Sequence, residues 1–542
     1  MSAVPTPAGP RDGKRLSPWR VALGIGVVLA VAAGSLLGYR LLVVDQARAS
    51  TAAPWFAGYV DATLTPQYGF ETPATDADDN VVLSFIVAKS AQDCVPTWGG
   101  AYTLDAAAGD LDLDRRIARL RQLGGDAVVS FGGAANSELA TACTDVDDLT
   151  GAYAAVVDRY DLSTIDLDIE ADDLSDTAAG ERRAEALAAV QKERAAAGKP
   201  LAVWLTLPVL PTGLTAEGQQ VVAQMLAAHV DLAGVNAMTM NYGIDLGGMS
   251  MGQAAIAALN AVHDQVSAAY TAAGEKLTDA TVWAKLGATP MIGQNDVGGE
   301  VFTLQDAADL NTFAQEKQLG RMSAWSLNRD QTCGPNHPDL TTVSNLCSGV
   351  DQGDASFADA LATGLPGTPG SVAGVEDPSA ATPAASATPT PSKTVVPSRG
   401  HEVDQTVDDP ATSPYPIWSE GTTYTAGSKV VWHATVYQAK WWTLGDAPDA
   451  PVTDESATPW LLIGPVLPGE TPYVQPTLPA GTYPDWSGTT AYKEGDRVLF
   501  GGVPYVAKWW TQGDSPAASQ DATTASPWYA LTAAQIADIL AG

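Results

Sequence analysis

Between Thr164 and Glu170 the chain reads Thr-Ile-Asp-Leu-Asp-Ile-Glu, three carboxylates two residues apart with Ile and Leu between them. In a β-strand the period of two puts Asp166, Asp168 and Glu170 on one face and the apolar residues on the other. Neighbouring like charges repel, and a buried carboxylate is costly unless paired or protonated. Such a row raises the pKa of one carboxyl group, so that it can act as an acid near neutral pH. A divalent-cation site is the competing chemistry, but no further cluster of hard ligands accompanies the three acids. The pattern suits glycosidic hydrolysis better, with Glu170, last in the run, at the strand end and placed to protonate a leaving oxygen.

The elements needed to position these residues are legible on both sides of them. Short apolar runs predict strands at 55–61, 81–87, 127–131, 164–170, 201–207, 234–240, 290–294 and 322–327. Ala-rich stretches at 113–123, 148–159, 180–197, 218–228, 252–272 and 304–319 predict helices between many of them. This alternation fits a (β/α)8 TIM barrel over 54–350, with a doubly wound sheet as the alternative. Polar groups gathered at the C-terminal ends of several strands favour the barrel.

The 542 residues exceed one ordinary domain, and the formal charge of -33 argues against a nucleic-acid partner. A neutral substrate is compatible. Residues 1–20 carry Arg11, Lys14, Arg15 and Arg20, and an apolar stretch follows at 21–44. That is export geometry, read either as a signal peptide cut near Ala47-Arg48-Ala49 or as a single membrane anchor. Either reading places the bulk of the chain outside the cytoplasm, where disulfides persist. Sequence proximity favours Cys333–Cys347 and leaves Cys94–Cys143, among three pairings that four cysteines allow. Their spacing lacks the close pairs of a common zinc site, and neither metal nor cofactor is expected.

Residues 351–412 read as a linker rich in Pro, Ala, Thr and Ser. Beyond it the chain repeats itself. Trp418, Tyr424, Val430, Tyr437, Trp441, Trp442 and Trp460 recur as Trp486, Tyr492, Val498, Tyr505, Trp509, Trp510 and Trp528, each displaced by 68 residues. Two small all-β modules are expected, at 413–465 and 481–533, with 466–480 between them. Their aromatics, Tyr437, Trp441, Trp442, Tyr505, Trp509 and Trp510, are candidates to stack on sugar faces. Adjacent tryptophans in a strand alternate faces, so one of each pair is expected to pack inward. Duplication would raise avidity on a repetitive polymer.

Taken together, these segments resemble known families. Thr164–Glu170 is similar to the DGxDxDxE signature of glycoside hydrolase family 18, matched at Asp166, Asp168 and Glu170, with Ser163 and Thr164 where Asp and Gly are common. Ser130-Phe131-Gly132-Gly133 resembles the family's SxGG strand end. Met238-Thr239-Met240-Asn241-Tyr242 resembles its Met-x-Tyr strand, and Trp325 its final-strand tryptophan. Both repeats, through AKWWTxGDxP, resemble chitin-binding modules of carbohydrate-binding families 5 and 12. The resemblance implies a chitinase acting by retaining, substrate-assisted hydrolysis. Glu170 would be acid and base, Asp168 would orient the substrate's acetamide, Asp166 would share or tune the proton on Asp168, and Tyr242 would hold the acetamide oxygen. Trp325, Met240, Gly132, Gly133 and Asn241 would line the sugar. The implied partner is chitin or its oligosaccharides, bound by a monomer that is secreted or held at the outer face of the membrane. An endo-β-N-acetylglucosaminidase and an inactive chitin-binding lectin are the alternatives.

Overall fold

Runs such as Val81-Val82-Leu83 and Ala127-Val128-Val129 are buried on both faces, as strands of a covered parallel sheet must be. The computed structural model describes residues 53–370 and 407–540, apart from 336, 338–341, 453–454, 475, 517–525, 532–534 and 537–538. The basic segment 1–20 and the apolar stretch 21–44 lie outside the described residues. The expectation of a membrane span finds no support among the described residues, where no helix is long and apolar enough to cross a membrane.

The barrel strands run in order. They are Trp55–Phe56 continued by Gly58–Asp61, Asn80–Ser90, Asp126–Gly132, Thr164–Asp168, Ala202–Leu210, Leu232–Met238, Leu286–Thr289 and Arg321–Met322. Successive strands pair in parallel. The first strand closes the ring by dividing its hydrogen bonds. Trp55–Phe56 pairs with Arg321–Met322, and Gly58–Asp61 pairs with Asn80–Ser90. A closed ring excludes the doubly wound sheet.

Helices Leu113–Gln122, Val146–Arg159, Thr177–Ala196, Ala216–Ala227, Met251–Ala272 and Leu304–Lys317 pack outside it. Their starts are set by side-chain caps. Thr215, Ser250 and Thr303 each accept from a backbone N–H of the first turn, and Ser250 with Gln253 and Thr303 with Asp306 form capping boxes.

Three strand assignments change. The acidic strand ends at Asp168, and Glu170 begins the short helix Ala171–Ser175. The seventh strand is Leu286–Thr289 rather than 290–294, and Gly293–Gln294 instead pairs with Val301–Phe302 in a separate hairpin. The eighth strand keeps only Arg321–Met322, so Trp325 lies past its end. The barrel body also extends beyond 350. Helix Phe357–Ala362 packs on Leu304–Lys317, where Asn311 donates to the carbonyls of Leu361 and Thr363. Gly367 N–H then donates to Pro54 O at 2.8 Å. Disulfides join Cys94 to Cys143 and Cys333 to Cys347.

Each C-terminal module is a three-stranded antiparallel sheet with a two-stranded companion. The first is built on Lys429–Trp432, Thr435–Ala439 and Trp460–Pro465, and the second on Arg497–Phe500, Val503–Ala507 and Trp528–Ala530. Their cores repeat residue for residue, Tyr424, Val430, Tyr437 and Trp460 matching Tyr492, Val498, Tyr505 and Trp528. The first module rests on barrel helix Leu113–Gln122.

Candidate active site

Asp166 sits in the barrel interior with no solvent exposure. Side chains from four other strands converge on it. Tyr59 Oη and Ser130 Oγ donate to Oδ2 at 2.8 and 2.7 Å, while Thr206 Oγ1 and Arg321 Nη1 donate to Oδ1 at 2.6 and 2.5 Å. Asn236 braces Thr206 Oγ1 from the sixth strand at 2.9 Å. The Arg321 guanidinium also lies 5.4 to 5.7 Å from the ring centroids of Trp55, Tyr59 and Trp204. Both oxygens of Asp166 are thus committed to other partners, and no hydrogen bond joins it to Asp168. The proton sharing expected between the two is corrected accordingly: Asp166 acts on Asp168 through charge.

Asp168, 5% exposed, has Oδ1 buried without a partner. Burial holds its carboxyl well above the usual carboxylate range. The charges of Glu170 and Asp166 push the same way, and Arg321 pulls it down. Glu170 is partly buried two residues further on, past the strand end. Its carboxyl is also raised, first by burial and then by the charge of Asp296. This is the environment in which a carboxylic acid keeps its proton for donation.

Gly132 and Gly133 end the third strand beside this pair. Gly133 N–H donates to Asp168 O at 2.9 Å. A Cβ on Gly132, whose φ is +102°, would stand 2.1 Å from that same carbonyl, and one on Gly133 would stand 2.9 Å from the Phe85 ring. The glycines therefore permit the close approach of two strand ends, a backbone requirement that glycine alone meets here.

Tyr242 is 5% exposed, and its hydroxyl has no partner. Burial, then the charge of Glu300, raises its pKa and keeps the hydroxyl a donor. The loop carrying it is latched to the loop after the seventh strand. Glu300 accepts from Tyr242 N–H and Gly243 N–H at 2.9 and 2.8 Å. Asn295 accepts from Asn241 N–H at 3.1 Å. The Asn241 side chain donates to Asp296 Oδ2 at 3.0 Å and accepts from Asp296 N–H at 2.8 Å. Asn241, expected to touch sugar, spends its amide on this clasp. Asp296 and Glu300 were not singled out in the sequence; an acidic pair in a Gly-rich loop carries little local signal.

Trp325 is partly buried, stacked on Phe85 at 5.5 Å between centroids and edge-on to Tyr59 at 5.8 Å, forming an aromatic floor. Met240 is partly buried past the end of the sixth strand. Ser163 and Thr164 lie at the opposite end of the acidic strand from Asp168. Thr164 Oγ1 donates to Pro369 O at 2.8 Å, a bond no glycine could make, fastening the segment that leaves the barrel. The departure from Gly at Thr164 is thus accounted for away from the chemistry.

In the modules, Tyr437 and Tyr505 are 3% and 1% exposed and belong to the cores, so a polymer-facing place for them is corrected. Trp441 and Trp442 are 45% and 60% exposed, and Trp509 and Trp510 are 47% and 63% exposed. Both members of each pair face out because both lie past their strands, which end at Ala439 and Ala507, so the alternation expected of strand residues does not apply.

Residues 485–528 match the model for carbohydrate-binding module family 5/12. The chain is 40% identical over 289 residues to a probable bifunctional chitinase/lysozyme of Escherichia coli, covering 52% of this chain and 31% of that protein. It is 39% identical over 283 residues to endochitinase 11 of Metarhizium anisopliae, covering 51% of this chain and 52% of that protein. The chain thus spans about a third and about half of the lengths of these two relatives. The crystal structure of the catalytic domain of a hyperthermophilic chitinase from Pyrococcus furiosus is 30% identical, covers 57% of this chain and 94% of that one, and gives a TM-score of 0.48. The barrel of this chain belongs to glycoside hydrolase family 18, and a family 5/12 carbohydrate-binding module follows it.

Proposed function

We propose that the protein is an exported chitinase that hydrolyses β-1,4 bonds between N-acetylglucosamine units with retention of configuration. One observation carries the reading. Two buried polar atoms of the site lack partners, the acceptor Asp168 Oδ1 and the donor Tyr242 Oη. A buried polar atom left unpaired is costly, and an acetamide offers the complementary N–H and C=O.

Glu170 gives its proton to the glycosidic oxygen as the bond to the anomeric carbon breaks. The acetamide oxygen, held by Tyr242, forms the new bond to that carbon, so no enzyme carboxylate is needed as nucleophile. Asp168 orients the acetamide nitrogen and offsets its developing positive charge. Glu170 then takes a proton from water, which attacks the anomeric carbon and reopens the ring on the acetamide. Trp325 supplies the apolar floor under the sugar. The four exposed tryptophans hold the insoluble polymer.

The test is proton NMR of the sugar released from chito-oligosaccharides within the first turnovers. Accumulation of the β-anomer is expected; the α-anomer, or no release of sugar, overturns the reading.

The pH profile gives a second check. As pH rises through the raised pKa of Glu170, the proton is lost and kcat/KM falls. Asp296→Asn removes a negative charge that helps hold that proton, so the alkaline limb should move to lower pH. An alkaline limb that stays in place would show that Asp296 does not act on the acid.

A further inference from the structure

The two modules share a fold, yet the first carries a face that meets the barrel at helix Leu113–Gln122. Arg115, on the outer helix Leu113–Gln122, is 4% exposed because the first module covers it. Its Nη1 donates to Pro465 O at 2.5 Å and to Glu470 Oε2 at 3.1 Å, and its Nη2 donates to Glu470 Oε1. Such a two-pronged pair fixes orientation as well as distance. Lys429 makes a second ion pair with Asp112 Oδ2 at 2.7 Å and donates to Gly109 O at 3.3 Å. Gly464 lets the module's edge lie against the helix: a Cβ there would stand 2.7 Å from Arg115 O and 3.1 Å from Arg119 Cβ.

The second copy differs at these points. Displaced by 68 residues, Lys429 becomes Arg497, Gly464 becomes Thr532 and Glu470 becomes Asp538. Arg497 is exposed and folds back on its own module, donating to Tyr483 Oη at 2.8 Å. Any side chain in place of Gly464 would drive a Cβ into the Arg115 carbonyl.

We propose that the face around Arg115 is a dedicated seat for the first module, so that the duplicated modules are not interchangeable. The first moves with the catalytic body and holds Trp441 and Trp442 in a fixed orientation to it. The second cannot occupy the seat. What this fixed orientation does for hydrolysis rests on the chitinase reading; the seat itself does not.

The test uses the full chain and reads hydrogen exchange over residues 109–119 together with the radius of gyration by small-angle scattering. Gly464→Thr should speed exchange there by about tenfold or more and enlarge the particle, while Thr164–Asp168 amides stay protected. Arg115→Glu should do the same, and adding Glu470→Arg should restore protection by reversing the pair. Because a threonine could also disturb the module itself, the charge reversal is the decisive variant. Native protection in both single variants overturns the seat, as does a double variant no better protected than Arg115→Glu. If the seat opens while hydrolysis is absent even in the native chain, the chitinase reading fails and the seat stands.

Discussion

Glu170→Gln lowers kcat on a chito-oligosaccharide by about 10²- to 10⁴-fold, the range that general acid catalysis supplies. Gln keeps the size and the hydrogen-bonding edge of the side chain but has no proton to give. The substrate is held by the Asp168–Tyr242 pair and the Trp325 floor, which the change leaves in place. KM should therefore change much less than kcat, the pattern of an interaction made in the transition state. An aryl glycoside makes the test sharper. Its leaving group departs as a stable phenolate and needs little protonation, so the variant should lose far less on it. Steady-state kinetics on both substrates checks this. Equal losses would mean that Glu170 is not the proton donor.

Arg321→Met is expected to destabilise the barrel by about 3–5 kcal/mol, the effect of leaving a buried charge without its partner. Arg321 and Asp166 have no solvent exposure, and their 2.5 Å contact spans the barrel interior. A typical domain is stable by about 5–15 kcal/mol, so the loss is a large share of the total. Urea denaturation measures it. Adding Asp166→Asn removes the stranded charge and should recover much of the stability, giving a coupling energy between the two sites. If the double variant is as unstable as the sum of the single ones, the pair is not the source of the effect.

Which parts of this were legible in sequence follows from the range of the forces involved. Helices such as Met251–Ala272 declare themselves because their pattern repeats every few residues and Ser250 caps them locally. The seventh and eighth strands were displaced because they are short and flanked by equally apolar loops. The three acids were visible as a row, but their separate roles were not. Asp166 is defined by Tyr59 and Arg321, 107 and 155 residues away in sequence. A lone arginine opening the apolar run Arg321-Met322-Ser323-Ala324-Trp325 was the available signal for a buried cation. The sequence suggests only a sugar contact for Asn241, since nothing local reveals a clasp made with residues 54 to 56 positions further on. The outward tryptophans escape the sequence pattern because alternation belongs to strands, and these strands stop first.

The seating of the first module changes what the long segment at 371–406 does. One end leaves the barrel at residue 370, next to the Thr164–Pro369 bond, and the other enters a module already held on the same body. The residues on either side of it are thus fixed on one body, so its length does not set how far that module stands from the catalytic centre. Insertions or deletions in this stretch should therefore leave the orientation of Trp441 and Trp442 to the barrel unchanged, whereas substitutions at Arg115 or Glu470 should release it.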